Sequence, residues 1–198
     1  MKTSKHILLT LVFVLLSGLG AGVMAQNRVS EAFRLPPEPI PPVTKVSAIE
    51  VADGVVGYHG ETREETVFGY SFLGRTTGDF PGSFSLSMNC APAIAMGEGK
   101  GEMTGGSWTL PVYPTALRGS AYLGALYGTV AKGTITWDGK GTSATIYLVL
   151  NVDGGTQTYE GVSGYATFAG TLLVDEKTDT TTLTGDMVFN IMTIQPIQ

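Results

Sequence analysis

The chain has 198 residues, with 12 Lys and Arg against 17 Asp and Glu, and a net charge of −5 at neutral pH. With no basic run against that balance, the composition excludes nucleic acid or an anionic membrane surface as the main partner. Cys90 is the single cysteine, which excludes an intrachain disulfide and a cysteine-rich zinc site.

The first element is "MKTSKHILLTLVFVLLSGLGAGVMAQN". Lys2 and Lys5 make a basic start, residues 7–16 are almost wholly apolar, and Val23-Met24-Ala25 is a small-x-small cleavage pattern. Residues 1–25 therefore read as a secretory signal peptide cut after Ala25, which sends the mature protein to a periplasm or the cell exterior. An uncleaved anchor over residues 7–25 is the alternative; Gly18, Gly20 and Gly22 beside the cut favour removal and a mature chain without an integral membrane span. Cleavage also removes Lys2, Lys5 and His6, so the mature charge is more acidic still and His59 is its one imidazole.

Residues 26–45 carry "LPPEPIPP" and read as a stiff, extended proline-rich arm. Beyond the signal, every glycine lies at Gly54 or later, and that composition shift starts the folded domain near Val46, giving a domain of residues 46–198.

Within that domain, extended runs are punctuated by glycine. Residues 64–73 read as a strand, and in "GSFSLSM" Phe84, Leu86 and Met88 alternate with Ser83, Ser85 and Ser87. Residues 106–113 and 120–127 follow as two more strands. "AKGTITWDGKGTSATIYLVLN" reads as a hairpin turning at Asp138-Gly139, with Ala131, Ile135 and Trp137 on one face and Lys132, Thr134 and Thr136 on the other. Residues 165–174 and 181–194 complete the series, and no window supports a capped amphipathic helix of three turns. About eight such strands make an antiparallel barrel or a sandwich.

Ala144, Ile146, Leu148 and Leu150 oppose Tyr147 and Val149, so this strand is apolar on both faces. A second layer or a partner subunit should cover the outside, which makes a homo-oligomer the expected state. A lipid-facing barrel would also turn apolar residues outward. Glu64, Lys132 and Asp186 interrupt the band it needs, and the ending "IQPIQ" lacks the aromatic terminus of that class.

The segment "GGTQTYEGVSGYATFAGT" resembles the glycine-rich stretch shared by dirigent proteins and allene oxide cyclases. Gly154-Gly155-Thr156, Tyr159, Val162 and Gly164-Tyr165-Ala166 fall in register with the dirigent form. Tyr159-Glu160-Gly161-Val162-Ser163-Gly164 echoes the cyclase form, and Gln157 departs from both where they prefer glycine. The resemblance implies an all-β fold, an eight-stranded antiparallel β-barrel. In that setting Gly154 and Gly155 are expected to give the positive φ of a turn, and Gly161 and Gly164 a second bend or a close approach. Tyr159 and Tyr165 are expected to pack beside the bare backbone. This signature is architectural and holds no nucleophile–base pair. The cyclase's catalytic residues do not map onto this chain one by one, so its activity is not carried over.

The remaining candidates for chemistry are sparse. His59, Glu61, Arg63, Glu64 and Glu65 crowd one stretch and read as a solvated loop entering a strand, with acid–base work by Glu64 or Glu65 as the rival. A serine hydrolase would rest on His59 without a nucleophile elbow. Asp138, Asp153, Glu160 and Asp175 are candidates for a glycosidase pair, although turn chemistry accounts for those beside glycine or at strand ends. Cys90 reads as a small buried hydrophobe. No metal site and no cofactor is implied.

Phe68, Tyr70, Phe72, Trp108, Trp137 and Tyr147 are the candidate ligand-binding residues, lining a barrel interior or mouth. A barrel of this size either holds one small ligand or fills itself with side chains. The expected function is thus an exported barrel that binds, and at most orients, a small apolar or phenolic molecule. A structural subunit of the cell exterior and a cyclase or isomerase are the alternatives.

Overall fold

The computed structural model describes residues 40–59, 65–91, 99–114 and 121–193. All of these but Ile40 belong to one compact unit, Pro41–Gln198. The signal peptide and most of the proline-rich arm lie outside the described residues.

The elements are β1 (Val43–His59), β2 (Glu65–Gly78), β3 (Gly82–Ala91), β4 (Lys100–Val112), β5 (Gly124–Trp137), β6 (Ser143–Val152), β7 (Gly154–Gly155), a 3₁₀ turn at Gln157–Tyr159, β8 (Val162–Asp175) and β9 (Thr180–Thr193). Eight of them form a ring in the order β4-β3-β2-β1-β9-β8-β6-β5, closed by pairing of β4 with β5, while the short β7 adds to β5. Every pairing is antiparallel. The fold is an all-β, closed eight-stranded barrel with one extra strand, as expected from the sequence.

Side-chain alternation builds the wall. In β3, Phe84, Leu86 and Met88 turn inward and are buried, and their serine neighbours face out. In β6 the inward set is Ala144, Ile146, Leu148 and Leu150. At mid-height Phe72, Leu86, Trp108, Leu126, Leu148 and Phe168 are fully buried, so side chains fill the interior there. Each such side chain contributes roughly 1.5–3 kcal/mol by leaving water.

One end of the barrel is sealed. Between β2 and β3 the chain folds Phe80 inward, where its ring meets Phe189 edge-on at 4.9 Å and Tyr159 at 5.8 Å. Two buried threonines hold that turn: Thr76 Oγ1 donates to the Phe80 carbonyl at 2.8 Å, and the Phe80 N–H donates to Thr44 Oγ1 at 3.1 Å. The far end carries the β1–β2, β3–β4, β5–β6 and β8–β9 connections.

Several details differ from the sequence expectations. β1 starts at Val43, inside the stretch assigned to the arm, because Val43 pairs with Val188 and the Pro42 carbonyl accepts the Phe189 N–H at 2.9 Å. Residues 124–137 are one strand, β5, not two. A bulge between Val130 and Lys132 turns Ala131 outward, away from Ile135 and Trp137. The β5–β6 connection is a five-residue loop, residues 138–142. Asp138 organises that loop: it accepts from Thr142 Oγ1 at 2.7 Å, the Lys140 N–H at 2.9 Å and Ser143 Oγ at 3.0 Å.

Candidate functional site at the far end of the barrel

On β1 the inward phase runs Val46, Ala48 and then Glu50, so the alternation that buries two apolar residues carries a carboxylate into the wall next. Glu50 sits opposite the fully buried Phe72, and a bulge follows it between Glu50 and Ala52. Such an extra residue re-aims the side chains beside it. Burial pushes the Glu50 carboxyl above its ordinary value, a hydrogen bond with the buried Thr181 pulls it back in part, and Asp53 adds a further upward push. Its Oε1 is buried with no hydrogen-bond partner among the described residues.

Tyr70 lies on β2, one inward position beyond Phe72 towards the far end, and is also buried. Burial raises its phenol well above the ordinary range, with smaller contributions from Cys90, Glu50 and Asp53. Phe68 is partly buried beside it, the two rings tilted at 5.2 Å. Cys90 pairs with Phe68 across β3, and burial raises its thiol. It is not in a disulfide.

Trp137 ends β5 at the same end and is 6% exposed, with its indole Nε1 buried and without a partner among the described residues. In the ring, β5 stands four strands from β1 in either direction, so Trp137 and Glu50 occupy opposite walls. The far end thus presents a hydrogen-bond acceptor on one wall and a donor on the other, with Phe68, Tyr70 and Phe72 on β2 beside the acceptor and the packed middle of the barrel beneath. Among the described residues, no group of three His, Cys, Asp or Glu side chains could hold a metal ion.

The aromatic candidates divide accordingly. Phe68, Tyr70 and Trp137 come together at the far end, and Phe72 lies level with Glu50. Trp108 belongs to the packed interior, and its Nε1 already donates to the Asn151 carbonyl at 2.9 Å. Tyr147 is not in the interior: it is 49% exposed on the outer face, because Ile146 and Leu148 take the inward positions on either side of it.

Glu50 and Thr181 were not anticipated as site residues. The sequence signal was a carboxylate in the apolar phase of "VSAIE", visible once β1 is read from Val43. Of the charged stretch, His59 and Glu65 pair through the backbone, while Glu61, Arg63 and Glu64 lie outside the described residues. Asp138 and Asp175 serve turns; the Asp175 carboxylate accepts the Lys177 N–H at 2.9 Å.

The glycine segment sits at the sealed end. Gly154 and Gly155 form β7 against Tyr127 and Leu126, and neither has positive φ. They permit close approach instead: a side chain on Gly154 would strike the Tyr127 hydroxyl, and one on Gly155 the Tyr159 carbonyl. The left-handed positions are Gln157 (φ 53°) and Gly161 (φ 76°), while Gly164 (φ 143°) lies against the Asn190 carbonyl. Tyr159 packs on Gly155 as expected, whereas Tyr165 faces outward and is about half exposed. These positions set the path of the chain at the sealed end.

Compared with known proteins, the chain matches no family model, no curated protein and no solved structure.

Proposed function

We propose that the barrel is a receptor for a small, mostly apolar molecule, phenolic or otherwise hydroxylated, taken in at the far end. One observation carries this reading: Glu50 Oε1 and Trp137 Nε1 are a buried acceptor and a buried donor, both unpartnered among the described residues, at the same end of the barrel on opposite walls. Leaving either unsatisfied costs about 1–3 kcal/mol, and such groups call for a bridging water or ligand. A guest with a hydroxyl for Glu50, an acceptor for Trp137 and an apolar body against Phe68 and Tyr70 satisfies both. The packed middle keeps the guest in the mouth.

A second reading rests on the raised Glu50 carboxyl. A carboxyl whose proton is held more tightly by burial is suited to giving and taking a proton, as an isomerase or cyclase would require. The dirigent-like resemblance and an exported location agree with both readings and separate neither.

The test uses the mature chain, residues 26–198. Native mass spectrometry shows a co-purifying molecule directly. A panel of simple phenols is then titrated against the Trp108→Phe variant, so that Trp137 alone reports by fluorescence. A saturable change that disappears in Glu50→Ala supports the receptor reading. No response across the panel, or one indifferent to Glu50, rejects it.

A further inference from the structure

The bulge on β1 brings a second carboxylate onto the face of the mouth. Before it, Glu50 stands level with the inward Phe72; after it, Ala52 is level with Ser71 and Asp53 with the inward Tyr70. In a regular strand, residues three apart point to opposite faces. The extra residue at Val51 restores the phase, so Glu50 and Asp53 share one face. One inward step further along β2, the Phe68 ring tilts against Tyr70 at 5.2 Å, and Val55 lies opposite Phe68 at the rim.

Two like charges on one face repel, and burial denies them the water that would screen them. Burial and, more weakly, Asp53 push the Glu50 carboxyl up; burial, then Cys90, Glu50 and Asp53 push the Tyr70 phenol up. Among the described residues no lysine, arginine or histidine acts on either group in the opposite sense. Lys45 pairs with Asp186 at 3.0 Å on the outer face instead.

A neutral hydroxyl satisfies Glu50 Oε1 but leaves the two carboxylates opposed. An ammonium satisfies the same oxygen through a charge-assisted hydrogen bond, offsets the repulsion, and is attracted by the aromatic rings of Phe68 and Tyr70 beside it. Among the described residues no third metal-ligating side chain joins the pair, so the cation that fits is organic.

We infer that the guest of the mouth is a hydroxylated aromatic amine, its ammonium held by Glu50 with Asp53 beside it and its hydroxyl oxygen accepting from Trp137 Nε1 on the opposite wall. This rests on the receptor reading and narrows its guest from hydroxylated molecules in general to cationic ones.

Three molecules of nearly one shape test it: the cation tyramine, neutral para-ethylphenol and the anion para-hydroxyphenylpropanoate. Each is titrated calorimetrically into the mature chain at neutral pH and low salt, with circular dichroism confirming the fold of each variant. Tyramine binds about tenfold more tightly than para-ethylphenol, the margin by which a hydrogen bond between charged groups exceeds a neutral one, and the propanoate binds most weakly. Glu50→Gln brings the ratio of the first two affinities down to about one. Asp53→Asn, at an exposed position, lowers the ratio about twofold and serves alone where Glu50→Gln folds poorly. Equal affinity for tyramine and para-ethylphenol overturns the inference and leaves the receptor reading standing. A preference for the amine that survives both substitutions, or tight binding of the propanoate, does the same. Silence from all three overturns the inference and the receptor reading together.

Discussion

Trp108 reaches from β4 across Gly128 of β5 to hydrogen-bond the Asn151 carbonyl of β6 at 2.9 Å, so one indole ties three consecutive strands of the ring together. The crossing needs a bare backbone beneath it. A Cβ on Gly128 would collide with the Asn151 carbonyl and press on the indole nitrogen. Trp137 differs in this respect, because its indole N–H has no such partner among the described residues.

Gly128→Ala therefore lowers stability by about 1–3 kcal/mol through overpacking. Trp108→Phe loses the hydrogen bond and part of the buried ring, at about 1–3 kcal/mol. Urea unfolding of both variants checks this. An unchanged midpoint for Gly128→Ala would show that the strands can separate there without cost.

Glu50 gives stability a pH dependence of definite sign. Its folded carboxyl titrates above the ordinary 4.5, so over the interval above pH 4.5 the folded chain holds a proton that the unfolded chain has released. Stability from this group is complete below pH 4.5 and is lost as pH rises through the folded pKa. Glu50→Gln removes that slope and melts higher than wild type at neutral pH. Melting curves across pH 4–8 measure the difference, and parallel curves would place Glu50 in a water-like setting.

Asp138 and Asp175 act in the opposite sense at lower pH. Hydrogen bonds from Thr142 and the Lys140 N–H hold Asp138 well below the usual carboxylate range, and the Lys177 N–H followed by Thr178 does the same for Asp175. Their contribution is present above the ordinary 3.8 and is lost as pH falls below it through the folded values. Asp138→Asn accordingly flattens the acid limb of the melting curve below pH 3.8. An acid limb identical to wild type would remove Asp138 from this account.

The glycine segment offers a paired test. Gln157 holds a left-handed φ of 53°, a conformation glycine adopts without strain, so Gln157→Gly stabilises by about 0.5–1 kcal/mol. Gly164 has φ 143° and backs onto the Asn190 carbonyl, so Gly164→Ala destabilises by about 1–3 kcal/mol. Thermal denaturation of the two variants should move in opposite directions. Movement in the same direction would mean that the segment tolerates either conformation.

The barrel was legible because its strands alternate so regularly. Phe84, Leu86 and Met88 against three serines, or Ala144 to Leu150 in steps of two, specify an inside and an outside unaided. Tyr147 was expected at the interior or mouth, but the alternation that puts Ile146 and Leu148 in the core turns it outward. Bulges were not legible: the extra residues at Val51 and Ala131 shift the phase by one, and nothing in their side chains marks the event. The site was half visible. Aromatics drew attention to Tyr70 and Trp137, but Glu50 emerges only when the strand ladder shows which wall its carboxylate enters. The glycines at 154 and 155 suggested a turn, whereas the ladder uses them where Tyr127 and Tyr159 crowd the backbone.

The pairing of Val43 with Val188 joins the first strand of the ring to the last, across nearly the whole described sequence. Hairpins such as β2–β3 and β8–β9 can form early from chain close at hand, but this seam cannot zip until β9 has emerged. Contacts so distant in sequence slow folding and make it cooperative. A nascent chain lacking β9 therefore cannot lock, and it stays threadable until its final strand arrives.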